Sequence, residues 1–90
     1  MRREPNSIER IFKLATAFTH PRRIEVFRAL TRGGGTADQL KAATRISRQA
    51  FARHLAKLKA RGFVVDRAGS YVAATPRDGL GRALARLAAG

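Results

Sequence analysis

The chain has 90 residues, of which 19 are Lys or Arg and 6 are Asp or Glu, giving a formal net charge of +13. This length predicts one domain spanning residues 1–90, and 44% hydrophobic residues are too many for a disordered basic tail. So large an excess of positive charge favours a polyanionic partner. A domain this small buries only about 60 to 65% of its unfolded surface, so a helix shared with a second subunit would add stability.

Composition also excludes several classes of protein. The absence of Cys excludes disulfides, thiolate metal sites and Cys nucleophiles. No apolar run approaches the roughly 18 residues that span a bilayer, and no signal-type apolar segment follows residues 1–5. Two His and six scattered carboxylates show no spacing typical of acid–base catalysis. We therefore expect a soluble cytoplasmic protein that is not an enzyme and needs no cofactor.

Two helices are predicted before the glycine triplet at 33–35. Asn6 and Glu9 form a capping-box pattern that opens a first helix ending at about Thr19. Its apolar stripe consists of Ile8, Ile11, Phe12, Ala15 and Phe18. Pro21 suits the first position of a second helix, which runs to Arg32. The buried face of that helix consists of Ile24, Val26, Phe27 and Leu30.

Residues 36–62 predict a short helix, a tight turn and a long helix. Thr36 and Gln39 form a second capping box, which opens a helix to about Ala43. Its inward residues are predicted to be Ala37, Leu40 and Ala43. After a turn at 44–46, Ser47 caps a helix of about fifteen residues that ends before Gly62. Its core stripe consists of Phe51, Leu55 and Leu58.

A hairpin and a last helix complete the chain. The β-rich runs 63–67 and 71–75 are separated by a Gly-containing turn at 68–70. Thr75 is predicted to cap a last helix, 77–89, with Pro76 at its first position and Asp78 in its first turn. Gly79 and Gly81 would each weaken this helix by about 1 kcal/mol relative to Ala, so packing against other parts of the protein should hold it.

The order of these elements predicts a mainly α fold with a small β-hairpin, the winged helix-turn-helix (α-α-α-α-β-β-α). Here the helix-turn-helix is predicted at 36–62 and the wing at 63–75. In such a fold the second helix of the helix-turn-helix enters the DNA major groove, and the hairpin reaches the neighbouring DNA backbone. The distribution of charge along the chain supports this arrangement, because residues 36–62 carry seven basic side chains and one acidic side chain.

Several residues are predicted to contact double-stranded DNA from the outward face of the long helix and from the hairpin. Arg48, Gln49 and Arg53 could read bases, with Ala52 allowing close approach. The predicted contacts to the DNA backbone are Arg45, His54, Lys57, Arg67 and Ser70. Ser47, the helix cap, is also predicted to be a DNA-binding residue. Alternatives remain open: Arg48, Gln49 and Arg53 could form an ordinary solvated face, the hairpin could be only structural, and His54 could be a half-buried histidine beside the core stripe. His20, before Pro21, is predicted to be a structural cap; the alternative is a ligand or a pH sensor.

The segments 17–26 (AFTHPRRIEV), 47–58 (SRQAFARHLAKL) and 62–64 (GFV) resemble the ArsR/SmtB-like winged helix-turn-helix repressors. The resemblance covers roughly residues 8–76 and implies a homodimeric transcriptional regulator that binds a near-palindromic operator. It implies pairing through the first and last helices, at Ile8, Ile11, Phe12, Leu80, Leu84 and Leu87. The chain departs from the family where the turn has Arg45 instead of the common Gly. It also lacks the Cys and the last-helix ligands of the metal sensors, so no metal is expected.

Other functions fit the same composition. Charge alone could support a sequence-independent architectural or RNA-binding protein, and the winged helix could instead bind an acidic protein partner. Adsorption of the last helix to a membrane fits less well, because the basic maximum lies in the middle of the chain. Leu80, Leu84 and Leu87 could also pack within their own subunit instead of forming a dimer interface.

Overall fold

The computed structural model describes residues 8–90 and contains five helices and one two-stranded antiparallel hairpin. The elements are α1 (Ile8–Thr16), α2 (Pro21–Thr31), α3 (Ala37–Thr44), α4 (Arg48–Ala60), β1 (Val64–Arg67), β2 (Ser70–Ala73) and α5 (Gly79–Ala89). Their order and types confirm the predicted winged helix-turn-helix. The capping box predicted at Asn6 and Glu9 involves a residue outside the described range. Within residues 8–90, no helix is long and apolar enough to cross a membrane.

The core is centred on α2, which packs against α3, α4, α5 and β2. Phe27 of α2 is 1% exposed, and its ring meets those of Phe18 and Phe63 edge-on at centroid distances of 5.1 and 6.0 Å. Phe18 and Phe63 are themselves 4.7 Å apart. Edge-to-face aromatic packing adds about 0.5 to 1.5 kcal/mol per pair beyond area burial. The cluster therefore fixes α2 against both the turn before it and the start of the hairpin.

Both predicted N-caps of the helix-turn-helix are present. The Gln39 amide donates to Thr36 Oγ1 at 3.3 Å while the Thr36 amide donates to Gln39 Oε1 at 2.9 Å, and the Ala50 amide donates to Ser47 Oγ at 3.3 Å. Such caps satisfy amides that the first helical turn leaves without a partner. These local hydrogen bonds set where α3 and α4 begin.

The predicted inward face of α3 is partly wrong. Leu40 is buried as expected, but Ala37 and Ala43 are exposed and Thr44 is buried in place of Ala43. The Thr44 hydroxyl donates to the Leu40 carbonyl at 2.9 Å. Because this hydrogen bond satisfies the hydroxyl, the polar Thr44 can be buried, although hydrophobicity alone favoured Ala43 as the inward residue.

The hairpin is shorter than predicted and has a two-residue turn. Arg67 pairs directly with Ser70, so Ser70 belongs to β2 and only Ala68 and Gly69 form the turn. Their φ angles of 53° and 88° are both positive, as a type I′ turn requires. Asp66 Oδ1 accepts from the Gly69 amide at 3.1 Å and holds this conformation.

The glycine triplet ends α2, as predicted, and also pairs with the hairpin. The Gly35 amide donates to the Tyr71 carbonyl at 3.0 Å, and the Tyr71 amide donates to the Gly35 carbonyl at 2.7 Å. A side chain on Gly34 would overlap that same carbonyl oxygen. The triplet thus joins the segment before α3 to β2, a contact that no side-chain pattern predicted.

The predicted ends of the first and last helices need correction. Helix α1 ends at Thr16, not at about Thr19. Helix α5 begins at Gly79, and its N-cap is Asp78, whose Oδ1 accepts from the Gly81 amide at 2.8 Å. Thr75 is therefore not the cap and Pro76 lies before the helix. A Cβ on Gly81 would come within 2.5 Å of the Pro76 Cβ, so this glycine permits a close contact with the segment that enters α5.

Three arginines bind carbonyl groups at the carboxyl ends of helices. Arg23 Nη1 donates to the Thr16 carbonyl at 3.0 Å and Arg61 Nε to the Lys13 carbonyl at 2.8 Å, both in the last turn of α1. Arg28 Nε donates to the Ala88 carbonyl at 2.8 Å at the end of α5. Cations at this end of a helix are favoured by its dipole. Part of the positive charge therefore has a structural role.

Candidate nucleic-acid interface

One side of α4 is buried and the other is exposed, basic and small. Phe51, Leu55 and Leu58 are at most 8% exposed and pack into the core as predicted. The exposed residues include all those predicted to contact DNA from this helix except His54, and are Arg48, Gln49, Ala52, Arg53, Ala56, Lys57, Lys59 and Ala60. The alanine side chains between the basic residues are short and project little from the helix, so a flat or convex partner could approach the helix closely.

The exposed basic residues of α4 have no carboxylate partner within residues 8–90. Ion pairs in this part of the chain join Arg10 to Asp78, Lys13 to Glu9 and Arg22 to Glu25 at 2.9 to 3.2 Å. All three lie in α1, in α2 or at the start of α5. Within the described residues, the positive charge on α4 therefore has no carboxylate that compensates it, which is typical of a surface that binds a polyanion.

Arg45 and Ser47 flank the amino-terminal end of α4. Arg45 is exposed and adopts a left-handed conformation, with φ 54° and ψ 38°, as the C-cap of α3. Its amide donates to the Lys41 carbonyl at 2.9 Å. The exposed Ser47 uses its hydroxyl oxygen to cap α4, which leaves the hydroxyl hydrogen for another acceptor. Both residues lie beside the basic face of α4.

Arg67 and Ser70 lie opposite one another at the outer end of the hairpin. Arg67 is exposed, and Ser70 is half-buried. No ion pair involves Arg67 among the described residues, and the neighbouring Asp66 carboxylate accepts from the turn amide. The hairpin therefore presents a second basic position, separate from that of α4.

His54 is buried, so the predicted phosphate contact is wrong. Only 4% of the residue is exposed, Arg23 Nε donates to its Nδ1 at 3.4 Å, and its ring lies 4.6 Å from that of His20. The half-buried alternative was closer to the structure. His20 occupies the predicted N-cap of α2, but its side chain makes no capping hydrogen bond; its backbone carbonyl accepts from Arg23 and Ile24 instead.

His54 predicts a loss of stability in mild acid. Burial, followed by the positive charges of His20, Arg23 and Arg53, lowers the pKa of His54 below its ordinary value of 6.5. As the pH falls, His54 therefore binds a proton near pH 6.5 in the unfolded chain but only at lower pH in the folded chain. The contribution of His54 to folding stability, present above pH 6.5, is lost as the pH falls further. We expect the free energy of unfolding, measured with urea, to decrease between pH 7.5 and 5.

Replacing His54 with Gln should flatten this pH dependence while keeping an acceptor for Arg23. His20→Gln is the comparison variant: it leaves the buried His54 in place and removes only one of the three positive charges beside it, so most of the pH dependence should remain. An unchanged pH dependence in His54→Gln would contradict the assignment.

Two basic residues outside the predicted DNA contacts lie beside this interface. Lys59 is exposed on the same side of α4 as Arg48, and Lys41 of α3 is half-buried nearby. Both line an open cavity of about 620 Å³ between α3, α4 and Tyr71 of β2. The eleven-residue spacing of Arg48 and Lys59 corresponds to about three helical turns, and this signal could have identified Lys59.

The predicted dimer residues form two groups. Ile8, Phe12 and Leu87 are 89%, 64% and 75% exposed, and Ile11 is 43% exposed. Leu80 and Leu84 are half-buried and pack against the core of their own subunit. Because α1 packs against α5, the exposed apolar residues lie on neighbouring helices. The predicted α1 stripe is thus largely uncovered, while Leu14 and Ala17 are the residues of this region that are fully buried.

No group of three or more His, Cys, Asp or Glu is placed to hold a metal ion in the described part of the chain.

Comparison with known proteins places the fold. A solved structure of similar fold, the crystal structure of the predicted DNA-binding transcriptional regulator from E. coli, superposes with a TM-score of 0.62. The two sequences are 24% identical, and the match covers 88% of this chain and 86% of the other. Among curated proteins, no sequence matches significantly. The sequence model of the helix-turn-helix domain family matches residues 18–67, from the turn before α2 to the end of β1. Because these residues make up more than half of the chain and contain the α3–turn–α4 unit, the protein belongs to the helix-turn-helix domain family.

Proposed function

We propose that the protein is a sequence-specific double-stranded DNA-binding transcriptional regulator that acts as a repressor. The observation that carries the proposal is the basic face of α4 in a helix-turn-helix fold, where no carboxylate of residues 8–90 pairs with the exposed basic side chains. The structural relative from E. coli supports it, since that protein is named as a predicted DNA-binding transcriptional regulator. Binding to chromosomal DNA would place the protein at the nucleoid.

In this proposal α4 lies in the major groove. Arg48, Gln49 and Arg53 read bases, because Arg pairs bidentately with guanine and Gln with adenine, and the Ala52 methyl lies against the groove. The proposed contacts to phosphate come from Arg45, Ser47, Lys57, Arg67 and Ser70. Their exposure or half-burial supports these roles.

The functional unit is proposed to be a homodimer on a near-palindromic operator. Ile8, Ile11, Phe12 and Leu87 leave apolar surface uncovered, and pairing through α1 and α5 would bury it, with Leu80 and Leu84 at its edge. Two copies of α4 would then enter successive major grooves about 34 to 36 Å apart. The sequence segments noted above support a place among the ArsR/SmtB-like repressors, in a form without their known metal sites.

Salt dependence tests the DNA-binding function. If a dimer neutralises roughly 8 to 10 phosphates, the logarithm of the binding constant should fall with the logarithm of salt concentration with a slope of about −7 to −9. Fluorescence anisotropy with a labelled duplex at several salt concentrations gives this slope. A slope near zero would overturn the proposal.

Arg53→Ala tests whether the binding is sequence-specific. It should cost about 1 to 3 kcal/mol on the operator and little on unrelated DNA if Arg53 reads a base. Arg86→Ala on α5 is the matched control, since it removes an exposed arginine that is not among the proposed DNA contacts. An equal loss on every sequence would make Arg53 a phosphate contact. Footprints that cover genomic fragments uniformly, or preferential binding to RNA, would favour the architectural alternative.

Arg45→Gly should raise stability and weaken DNA binding together. Glycine adopts the left-handed conformation of this residue without the steric cost of a side chain, roughly 1 kcal/mol, so the free energy of unfolding should increase. Losing the phosphate contact should make the salt slope shallower by about 1 per protomer.

Ala68→Gly is the matched control, because Ala68 also has a positive φ but lies in the hairpin turn without a proposed contact. It should raise stability and leave the salt slope unchanged. If Arg45→Gly kept the full salt slope, the phosphate contact would be disproved.

A further inference from the structure

The cavity between α3, α4 and β2 combines an apolar lining with basic groups. Its volume of about 620 Å³ lies within the range of about 300 to 1,000 Å³ typical of small-molecule sites. Phe51 and Leu55 supply buried apolar surface, the exposed Ala52 extends it, and Tyr71 lies on the β2 side. An apolar body of the size of one or two aromatic rings would fit this lining.

Three cations surround the apolar lining. Lys41, Arg48 and Lys59 line the cavity, and in residues 8–90 none of them forms an ion pair. Asp38, in the first turn of α3, is the one carboxylate of the lining, which leaves a net charge of +2. Positive charge beside apolar surface is complementary to a ligand that has both an apolar body and an anionic group.

We infer that this cavity binds a small apolar anion, an aromatic or aliphatic body carrying one carboxylate or sulfonate, and that this ligand excludes DNA. Arg48 and Ala52 line the cavity and also lie on the α4 face proposed to enter the major groove. A ligand over these residues would occupy the space that the bases require. The exclusion, unlike the site itself, rests on the proposed DNA-binding function. Linkage requires that DNA weaken ligand binding by the same factor by which the ligand weakens DNA binding.

An NMR titration of the full ¹⁵N-labelled chain with naphthalene-1-sulfonate tests the site. We expect a Kd on the order of 1 mM or below and amide shifts concentrated at Lys41, Ala52 and Lys59. Neutral 1-naphthalenemethanol, which has the same ring system without the charge, should bind at least about tenfold more weakly. Shifts confined to α1 and α5, where other apolar residues are exposed, would overturn the inference.

Charge-reversal variants separate the cavity from general electrostatic attraction. Lys41→Glu combined with Lys59→Glu should weaken sulfonate binding at least about tenfold, whereas Arg82→Glu combined with Arg86→Glu changes the net charge equally on α5 and should have little effect. Ala56→Phe fills the cavity from an exposed helical position and should block binding without reversing a charge. Equal losses in the two double variants would overturn the site.

Competition with a labelled duplex tests the exclusion. At constant ionic strength, saturating sulfonate should displace the duplex from the native protein, and the same concentration of neutral 1-naphthalenemethanol should not. Simultaneous binding of sulfonate and duplex would overturn the exclusion. Sulfonate binding at the cavity of a protein that binds no duplex would uphold the site and overturn the proposed function instead.

Discussion

Phe12→Glu should convert the proposed dimer into folded monomers. The Phe12 side chain is 64% exposed in the protomer, so a charge there costs little within one subunit. In a two-fold dimer both copies are affected, and losing the burial of the exposed part of two phenylalanines removes about 2 to 4 kcal/mol. Dimerisation should weaken by more than about thirtyfold, and sedimentation equilibrium together with urea unfolding of the monomer measures both effects.

The same change should abolish tight binding to a duplex with two half-sites and spare the weaker binding to one half-site. Phe12→Lys is the matched control for charge, because electrostatics alone would make Glu weaken DNA binding and Lys strengthen it. If both variants lose binding to the two-site duplex, the cause is loss of the dimer. If both remain dimeric, this face of α1 is not the interface.

Gly34→Ala should destabilise the protein by about 3 kcal/mol, because a strained backbone and an overpacked contact coincide. Gly34 has φ +72°, and a Cβ there would overlap the Tyr71 carbonyl oxygen and lie 3.1 Å from Val72 Cγ1. The hairpin would have to move away, and the Gly35–Tyr71 bridge would break. The loss corresponds to a decrease in Tm of roughly 12 to 24 °C for a domain of this size, measurable by calorimetry.

Gly33 and Gly79 provide controls that separate space from backbone strain. A Cβ at either position meets no atom within 4 Å, but Gly33 has φ +132° whereas no positive φ is found at Gly79. Gly33→Ala should therefore show the cost of strain alone, and Gly79→Ala should stabilise α5 by up to about 1 kcal/mol. A change of less than about 0.5 kcal/mol in Gly34→Ala would mean that the hairpin does not depend on this close approach.

Features set by nearby residues could be predicted from the sequence. The caps at Thr36 and Ser47 and the core stripe of α4 depend on side chains within one or two helical turns, and the structure confirms them. The left-handed turn at Arg45 follows the same rule, since the resemblance already indicated that a glycine is usual there. His54 could also have been assigned correctly, because it lies three residues after Phe51 and four before Leu58, on the buried stripe.

Features that depend on distant parts of the chain could not be predicted. The Gly35–Tyr71 bridge joins backbone atoms 36 residues apart, and glycine offers no side-chain pattern to indicate a partner. Asp78 and Thr75 both suit an N-cap, and the choice follows from where the hairpin ends. Periodicity showed that the Phe12 side of α1 is apolar, but no sequence pattern states whether an apolar face is covered by its own subunit or by another.

Arg61 connects the two functions that the chain is proposed to combine. It directly follows α4, and its guanidinium holds the Lys13 carbonyl of α1, one residue after Phe12. In a dimer formed through α1, this link would make the orientation of each DNA-reading helix depend on how the two α1 helices cross. The half-site spacing that the protein accepts would then be determined at the subunit interface, so the DNA sequence and its geometry would be read by separate parts of the molecule.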